Sequence, residues 1–359
     1  MVKFTEDQFD LYTYKNTGKS VSIRLFTWTN ENKVSVQVIT YGATITSMKI
    51  PDKNGVVKDI VAGFNNLAGY QGLNPYFGAT VGRAANRIGL GQFKCLNEII
   101  QVSKNRGENH LHGGFVGFDK VVWEHFVDGN KLILSYHSAD LEEGYPGDLV
   151  VHTIFELTDS NEFLVEFKAT TTKPTYVNLT NHSYFNLAGH NAGAAELYKH
   201  VVCINADQIT DVDEDSIPTG KLLPVADTVF DLRVPKILGD LINKVPKSTG
   251  FDHNFCITKG PEQGTTFVAR VYHPESGRVL EVYSNQPGVQ FYTSNYFPEN
   301  SKSKETLTGK DGNYYKHGAL CLETQNWPDA PNHENFPKSI LLPGETYYHN
   351  VSYKFSVKN

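Results

Sequence analysis

Cysteine is scarce in this sequence, and no pair has a metal-binding or redox spacing. The 359 residues include four cysteines, Cys95, Cys203, Cys256 and Cys321, which stand far apart. None forms the Cys-x-x-Cys pair of a zinc or redox motif, so we expect free thiols in a reducing compartment. The first residues contain neither the basic nor the apolar region of a signal peptide, and we therefore expect a cytoplasmic protein.

Long apolar runs and clusters of basic residues are absent as well. No stretch approaches the ~18 apolar residues that a membrane helix needs. The formal net charge is −6 without any run of lysine and arginine, so we expect neither nucleic acid nor a membrane as a partner. The Gly-x-Ser-x-Gly, P-loop and His-Glu-x-x-His motifs are also missing, which argues against the enzymes that carry them. The remaining composition is that of an ordinary globular protein, with 40% hydrophobic residues.

Strand patterns dominate what is present. In residues 163–170, Phe163, Val165, Phe167 and Ala169 fall on one face of a period-two pattern, as in a half-buried strand. Runs rich in β-branched and aromatic residues lie at 131–136, 151–157, 267–272 and 278–283, and short turn sequences separate the strand-like runs. The best helical candidates, 237–243 and 65–70, are short. The pattern predicts an all-β fold, an antiparallel sandwich or barrel, as a single domain over residues 1–359.

Glu323 is the first candidate for chemistry. It follows the apolar run Gly318-Ala-Leu-Cys-Leu. A carboxyl group that enters a core loses solvation, which raises its pKa and suits a general base near neutral pH. The alternative is that Glu323 is the first solvent-facing residue after a strand ends. This segment alone leaves both interpretations open.

His182 lies at the centre of an unusually polar segment, residues 176–187, in which three asparagines stand among apolar residues. Buried amides need hydrogen-bond partners, so this density indicates the wall of a polar site. A histidine in such a wall is a natural acid or base. The alternative is a structural histidine that is bonded to the backbone.

His110 and His112 are two residues apart, so on a strand they would point the same way. A metal site is one interpretation, with Asp119 or His182 as the third ligand, but no spacing specifies it. We therefore expect no metal. The glycine pair that follows His112 instead indicates a backbone that approaches a ligand closely.

Further polar candidates are scattered along the chain. Arg83 or Arg87 could donate paired hydrogen bonds to adjacent hydroxyls, although for Arg83 we expect a surface position that bridges loops. Asp252, between aromatics, is either a ligand of vicinal hydroxyls or a turn residue. Gln290 is either a satisfied core amide or a substrate contact. Trp327 lies near Glu323 and is the tryptophan that we expect to stack on a sugar.

Several motifs occur in order from about Val34 to the C-terminus. They are Pro75-Tyr-Phe-Gly, Gly82-Arg-Ala-Ala-Asn-Arg, Leu111-His-Gly-Gly, Gly117-Phe-Asp-Lys, Glu143-Gly-Tyr-Pro-Gly, Asn178-Leu-Thr-Asn-His-Ser-Tyr-Phe-Asn-Leu, Phe251-Asp-His-Asn and Leu322-Glu-Thr-Gln-Asn-Trp-Pro-Asp-Ala. Together they resemble the animal-type aldose 1-epimerase family, also called galactose mutarotases. One small departure is Ala84, where we expect a valine in that family.

The resemblance implies a large antiparallel β-sandwich with few short helices and a sugar cleft, without metal or cofactor. It implies Glu323 as the general base and His182 as the general acid. It also implies a set of sugar contacts, which are Asn86, Arg87, His112, Tyr184, Asp252 and Gln290. The implied reaction interconverts the α and β anomers of free hexoses such as D-galactose and D-glucose.

Three other functions share some of these features. A glycoside hydrolase needs two opposed carboxylates ~5 to ~9.5 Å apart, for which Asp252 could partner Glu323. A sugar-binding module would use the same polar wall without turnover. A phospho-sugar epimerase needs a basic pocket, toward which we count only Arg83 and Arg87. We expect a small aldose as the partner and a monomeric protein, with a dimer as the alternative.

Overall fold

The computed structural model of the protein describes residues 1–72, 75–260 and 264–358. Within these ranges, most strands belong to three large antiparallel sheets, and the helices are short. One continuous core draws side chains from all three sheets, for example Phe26, Val165 and Leu322. The predicted all-β sandwich with few short helices is confirmed.

The first sheet has five strands and is formed by the N-terminal part of the chain. Alternation buries Phe26 and Trp28 on one strand and Val36 and Val38 on its neighbour. The Trp28 ring lies 5.7 Å from the ring of Phe163, which links this sheet to the next one. In spatial order, the strands are Lys3–Thr13, Ser20–Thr29, Ser35–Ile39, Thr44–Pro51 and Val57–Asp59.

The second sheet has nine strands in the described part of the chain and contains the runs that the sequence predicts as strands. Phe163, Val165, Phe167 and Ala169 are buried in one strand, which confirms the predicted alternation. In spatial order, the strands are Glu124–Asp128, Lys131–Ser138, Leu149–Leu157, Glu162–Thr171, Tyr347–Val357, Arg278–Ser284, Thr266–Tyr272, Val201–Ile204 and Lys236–Ile237.

The third sheet, with six described strands, has two faces of different character. One face packs apolar side chains into the core, among them Leu322, Phe291 and Phe255. Because side chains alternate between the faces of a strand, the residues beside them, Glu323 and Gln290, belong to the other face. In spatial order, the strands are Tyr184–Phe185, Leu320–Gln325, Gly288–Tyr292, Asp252–Ile257, Ala206–Val212 and Pro218–Pro224.

Short paired strands and helical turns connect the large sheets. The pairs are Thr80–Val81 with Thr180–Asn181, Arg87–Ile88 with His110–Leu111, Gln92–Cys95 with Glu98–Gln101, Thr175–Tyr176 with Ile340–Leu341, and Thr308–Gly309 with Gly312–Asn313. The α-helices are Leu67–Gln71 and Gly193–Leu197. The 3-10 turns are Gly89–Gly91, Phe118–Lys120, Glu142–Gly144, Leu238–Asp240, Ile242–Lys244 and Ala330–Asn332.

Both helical candidates from the sequence lie in helical segments, although both segments are short. Residues 65–70 overlap the helix Leu67–Gln71, where the Asn66 side chain accepts a hydrogen bond from the Gly69 N–H at 3.0 Å as an N-cap. In residues 237–243, Ile237 ends a strand, and the 3-10 turns Leu238–Asp240 and Ile242–Lys244 replace the predicted single helix. Among the described residues, no helix is both long enough and apolar enough to cross a membrane.

Candidate active site

A cleft with a volume of about 220 Å³ lies against the polar face of the six-stranded sheet. All eight residues that the sequence analysis assigns to a sugar site line it: Asn86, Arg87, His112, His182, Tyr184, Asp252, Gln290 and Glu323. The fold therefore brings together side chains that span positions 86 to 323.

Glu323 is buried inside the strand Leu320–Gln325, with 2% of its surface exposed. It is not the first solvent-facing residue after the strand, so that alternative is wrong. Burial raises the pKa of its carboxyl well above the usual value, the charge of Asp252 raises it further, and Arg87 lowers it. The carboxyl therefore holds its proton more tightly than an exposed glutamate.

His182 faces Glu323 from the segment that follows the strand Thr180–Asn181. Its Nε2 lies 3.6 Å from Glu323 Oε2. Burial lowers the pKa of the imidazole to about 3. The two shifts are opposite, because burial favours the protonated carboxyl of Glu323 and the neutral imidazole of His182. Titration of such a pair belongs to both residues together.

His112 is fixed by its neighbour Asn86 in a defined protonation state. Its Nδ1 accepts a hydrogen bond from the Asn86 backbone N–H at 3.1 Å. Burial, His182 and Arg87 lower the pKa of the imidazole well below its ordinary value. The ring is therefore neutral and carries its proton on Nε2, which makes that nitrogen a hydrogen-bond donor.

The prediction that His110 and His112 share one strand face is wrong. The strand His110–Leu111 ends before His112, whose φ of 49° lies in the left-handed region. The ring of His110 instead bonds to the Ser103 carbonyl oxygen at 2.6 Å and to the Tyr145 hydroxyl at 2.7 Å. The glycine signal after His112 is explained by close packing, because a Cβ on Gly113 would lie 1.8 Å from a backbone oxygen.

A second polar group in the cleft, the Asp252 cluster, consists of Arg87, Asp252 and Gln290. Asp252 begins the strand Asp252–Ile257 and is not a turn residue. Its Oδ1 accepts a hydrogen bond from Gln290 Nε2 at 2.7 Å, and its Oδ2 lies 3.7 Å from Arg87 Nη2. Gln290 in turn accepts a hydrogen bond from Gln325 Nε2 at 3.3 Å. Gln290 is therefore a bonded amide and also a cleft residue.

Three side chains of the cleft could in principle hold a metal ion. His112, His182 and Glu323 each offer a ligand atom, and these atoms lie within 4.8 Å of one another. The hydrogen bond from Asn86 nevertheless keeps the proton of His112 on Nε2, where a metal would need a lone pair. The residues therefore fit a hydrogen-bonding site better than a metal site. Asp119, the other ligand considered, pairs with Lys120 at 3.3 Å and does not line the cleft.

Glu196, His273 and Glu275 form another potential ligand cluster outside the cleft. Lys199 already pairs with Glu196 at 2.7 Å and with Glu275 at 2.6 Å. His273 lies 3.0 Å from the remaining oxygen of Glu196. Lys199 and the buried His273 therefore already engage the carboxylates of this cluster.

Two residues differ from their predicted positions. Arg83 is not at the surface but buried, although it does bridge loops, because its guanidinium donates to the carbonyl oxygens of Pro146 and Gly147 at 3.0 Å. Trp327 does not line the cleft. Its indole N–H donates to the Pro287 carbonyl oxygen at 2.9 Å instead.

The cleft also contains residues that the sequence analysis did not assign to it. Tyr76 belongs to the motif Pro75-Tyr-Phe-Gly, and this motif could have marked it as a site residue. Arg106 is exposed and has no ion-pair partner among the described residues, and no pattern separates it from other surface arginines. The unassigned lining residues are Pro75, Tyr76, Arg106, Leu111, Tyr292, Tyr296 and Phe297.

Comparison with known proteins assigns this arrangement to a family. The family model described as Aldose 1-epimerase matches residues 24–354. The chain belongs to the aldose 1-epimerase family. This membership makes it an isomerase that acts at the anomeric centre of aldoses, and the resemblance seen in its motifs is confirmed.

Relatives of this aldose 1-epimerase match nearly the whole chain. The galactose mutarotase of Rattus norvegicus is 49% identical over 327 residues, which cover 91% of this chain and 92% of the relative. The galactose mutarotase of Homo sapiens is 48% identical over 323 residues, or 90% and 91% of the two chains. The crystal structure of the GalM/aldose epimerase homologue from C. elegans is 30% identical, with a TM-score of 0.83 over 92% of this chain and 98% of that one.

Proposed function

We propose that this aldose 1-epimerase interconverts the α and β anomers of free aldohexoses, with D-galactose and D-glucose as substrates. The observation that carries the proposal is the Glu323–His182 pair, whose facing atoms lie 3.6 Å apart in the cleft. The names of the mammalian relatives support galactose as a substrate. A neutral sugar also suits a cleft in which hydrogen-bonding side chains alternate with aromatic rings.

The reaction needs two proton transfers at one end of the sugar. Glu323, as the carboxylate, takes the proton of the C1 hydroxyl while His182, as the imidazolium, gives a proton to the ring oxygen. The C1–O5 bond breaks, the aldehyde forms and the chain rotates about C1–C2. The ring then closes on the other face of C1, with the two residues in exchanged roles. Each positioned transfer contributes ~10²-fold to ~10⁴-fold.

The protonation of the pair suits this cycle. With one proton on the pair, the neutral form and the form with carboxylate and imidazolium contain the same number of protons. A single internal transfer therefore makes the reactive form, and no proton has to enter from solvent. The opposite pKa shifts of the two side chains mean that the reactive form is the minor one before sugar binds.

The remaining cleft residues act as sugar ligands in this proposal. His112 donates from Nε2 to the ring oxygen or a neighbouring hydroxyl, and the Asp252 cluster binds hydroxyls remote from C1. The Asn86 carboxamide oxygen accepts hydrogen bonds from the Arg87 backbone N–H at 2.9 Å and from Arg87 Nη1 at 3.5 Å. Tyr184 contributes an apolar ring surface. Asp252 is already engaged with Arg87 and Gln290, which disfavours its use as the second carboxylate of a glycosidase.

We also propose the following setting for the enzyme. A cytoplasmic location is supported by four free cysteines. A single domain is supported by a core cluster that runs from Phe26 to Phe355. The net charge of −6 and the absence of a basic run support the lack of a nucleic-acid or membrane partner, and we propose a monomer.

The decisive experiment is polarimetry of freshly dissolved α-D-galactose and α-D-glucose. The protein should accelerate the drift, and Glu323→Gln should lower kcat by ~10³-fold or more while sugar still binds, because the base is removed and its shape is kept. A binding module would leave the spontaneous drift unchanged, and release of galactose from an aryl galactoside would indicate a glycosidase. Near-normal kcat in Glu323→Gln would place the base elsewhere.

A further inference from the structure

The imidazole of His182 lies nearly parallel to two aromatic rings, and no other described residue bonds its inner nitrogen. Its Nδ1 is buried and has no hydrogen-bond partner in another described residue. The Tyr184 ring lies 4.8 Å away at an interplanar angle of 8°, and the Tyr76 ring lies 5.9 Å away at 11°. Functional histidines usually have one nitrogen fixed by a carboxylate or carbonyl group. Here, two nearly parallel rings set the plane of the imidazole.

Tyr76 contacts both histidines of the cleft. Its ring centroid lies 4.6 Å from that of His112, at a tilt of 59°. Among the ring contacts of the described residues, Tyr184 reaches His182 but not His112. Lys120 Nζ lies 5.4 Å from the centroid of the Tyr76 ring, which helps to hold this ring in place.

The backbone around Tyr76 is bonded directly to the backbone of His182. The Gly78 N–H donates to the His182 carbonyl oxygen at 2.9 Å, and the His182 N–H donates to the Ala79 carbonyl oxygen at 2.9 Å. Gly78 has a φ of 64°, and a Cβ there would lie 1.9 Å from a backbone oxygen of Ile45. The segment that follows Tyr76 is therefore closely fitted and is bonded to the backbone that carries His182.

The conformation of Tyr76 itself is unusual. Its φ of 66° lies in the left-handed region, which non-glycine residues occupy infrequently. Residues in such conformations concentrate at functional sites, where the surrounding structure holds them. The left-handed turn lets the ring line the cleft beside both histidines. This placement, together with the ring contacts, indicates a role in the reaction and not only in packing.

We propose that Tyr76 is a positioning residue of the epimerase reaction, whose ring keeps Nε2 of His182 directed at Glu323 and at the ring oxygen of the sugar. The proposal rests on the proposed function of the pair. Because no other described residue bonds Nδ1, the imidazole can gain and lose its proton at Nε2 without rearranging a neighbour. The part of Tyr76 that matters is then the ring face and not the hydroxyl.

Two substitutions separate the ring from the hydroxyl. Tyr76→Phe keeps the ring, and its kcat should stay within about 3-fold of the parent. Tyr76→Leu removes the ring, and its kcat should fall by ~10-fold to ~100-fold with little change in KM, because small displacements of a catalytic group cost about this much. Both are measured by polarimetry with α-D-galactose, with the spontaneous rate subtracted.

Phe64→Leu is the matched control for loss of a ring. Phe64 packs against Phe77, the neighbour of Tyr76, at 5.2 Å but does not line the cleft. Its kcat should stay near the parent value, and thermal unfolding of all variants reports folding. Should Tyr76→Leu unfold, Tyr76→Met is measured instead, and the ¹⁵N signals of the His182 ring in Tyr76→Phe and Tyr76→Met report the imidazole directly.

Two results would overturn the proposal. If Tyr76→Leu keeps kcat within 2-fold while Glu323→Gln loses activity, the ring does not position His182, although the proposed function stands. If Tyr76→Phe loses as much as Tyr76→Leu, the hydroxyl acts and the positioning role of the ring is wrong. If the parent protein does not accelerate mutarotation at all, the proposed function fails before Tyr76 is tested.

Discussion

The Glu323–His182 pair and the Asp252 cluster lie in the same cleft but are held in different ways. The pair is buried, its facing atoms are 3.6 Å apart, and His182 Nδ1 has no hydrogen-bond partner in another described residue. In the Asp252 cluster, by contrast, hydrogen bonds join Asp252 to Gln290 and Gln290 to Gln325. The first group is free to change its protonation, and the second is fixed before a ligand arrives.

This difference follows from the work that each group is proposed to do. A proton-transfer group that is bonded on all sides must break those bonds in every cycle. A binding group gains from bonds that fix it, because less ordering remains to be done when the ligand binds. Burial supplies the shifted pKa values at the pair, while hydrogen bonds supply the rigid shape of the cluster. The comparison can be tested at either group.

The pH dependence of kcat is the strongest test of the pair. The active form carries one proton, so activity should fall tenfold per pH unit above the raised pKa of Glu323 and remain flat into mild acid, since the pKa of His182 is lowered to about 3. Initial rates by polarimetry, after subtraction of the buffer-catalysed rate, give the profile. A rate that keeps rising through pH 9 would contradict the assignment of one proton to the pair.

Asp252→Asn should affect binding more than chemistry. It removes a charged acceptor that the cluster has already oriented, and loss of such a hydrogen bond costs about 1.5–3 kcal/mol, or ~10-fold to ~100-fold in kcat/KM. Most of this should be seen in KM. The alkaline limb should also move to lower pH, because the charge of Asp252 helps to raise the pKa of Glu323. A fall in kcat with unchanged KM would mean that the Asp252 cluster acts in the chemical step, as the Glu323–His182 pair does, and not in binding.

The smallest expected effect is on stability. A carboxyl whose folded pKa is raised stabilises the fold fully below its unfolded pKa, and this stabilisation is lost as pH rises toward the folded pKa. Glu323→Gln should therefore unfold at a higher temperature than the parent at pH 8, by about 2 °C for each ~1.4 kcal/mol, and this difference should shrink toward pH 4. Calorimetry at both pH values measures it. If the variant and the parent differ in unfolding temperature by the same amount at both pH values, the burial of the Glu323 carboxylate costs no stability.

Local patterns predicted much of the fold. The alternation at Phe163, Val165, Phe167 and Ala169 was sufficient because a period of two depends only on neighbouring residues. The short helices were harder to place, since residues 237–243 have the composition of a helix but form two 3-10 turns. Fold class followed from many such segments together, and no single one decided it.

The site was predictable where motifs mark it and was missed where geometry alone decides. Spacing placed His110 and His112 on one face, but a left-handed turn at His112 separates them. Proximity in sequence favoured Trp327 as a stacking residue, yet its indole bonds to Pro287. Tyr76 owes its role to a backbone conformation and to partners about 36 and 106 positions away, neither of which a sequence pattern reports.

The alternation in the strand Leu320–Gln325 has a consequence for how this gene can change. Leu322 faces the core, Glu323 faces the cleft, and each is paired across to Phe291 and Gln290. Loss or gain of one codon in the turn before this strand would slip its register and exchange the two faces. A leucine would then occupy the cleft and a carboxyl the core. We therefore expect selection against insertions and deletions of odd length here, whereas a substitution changes only the face on which it lies.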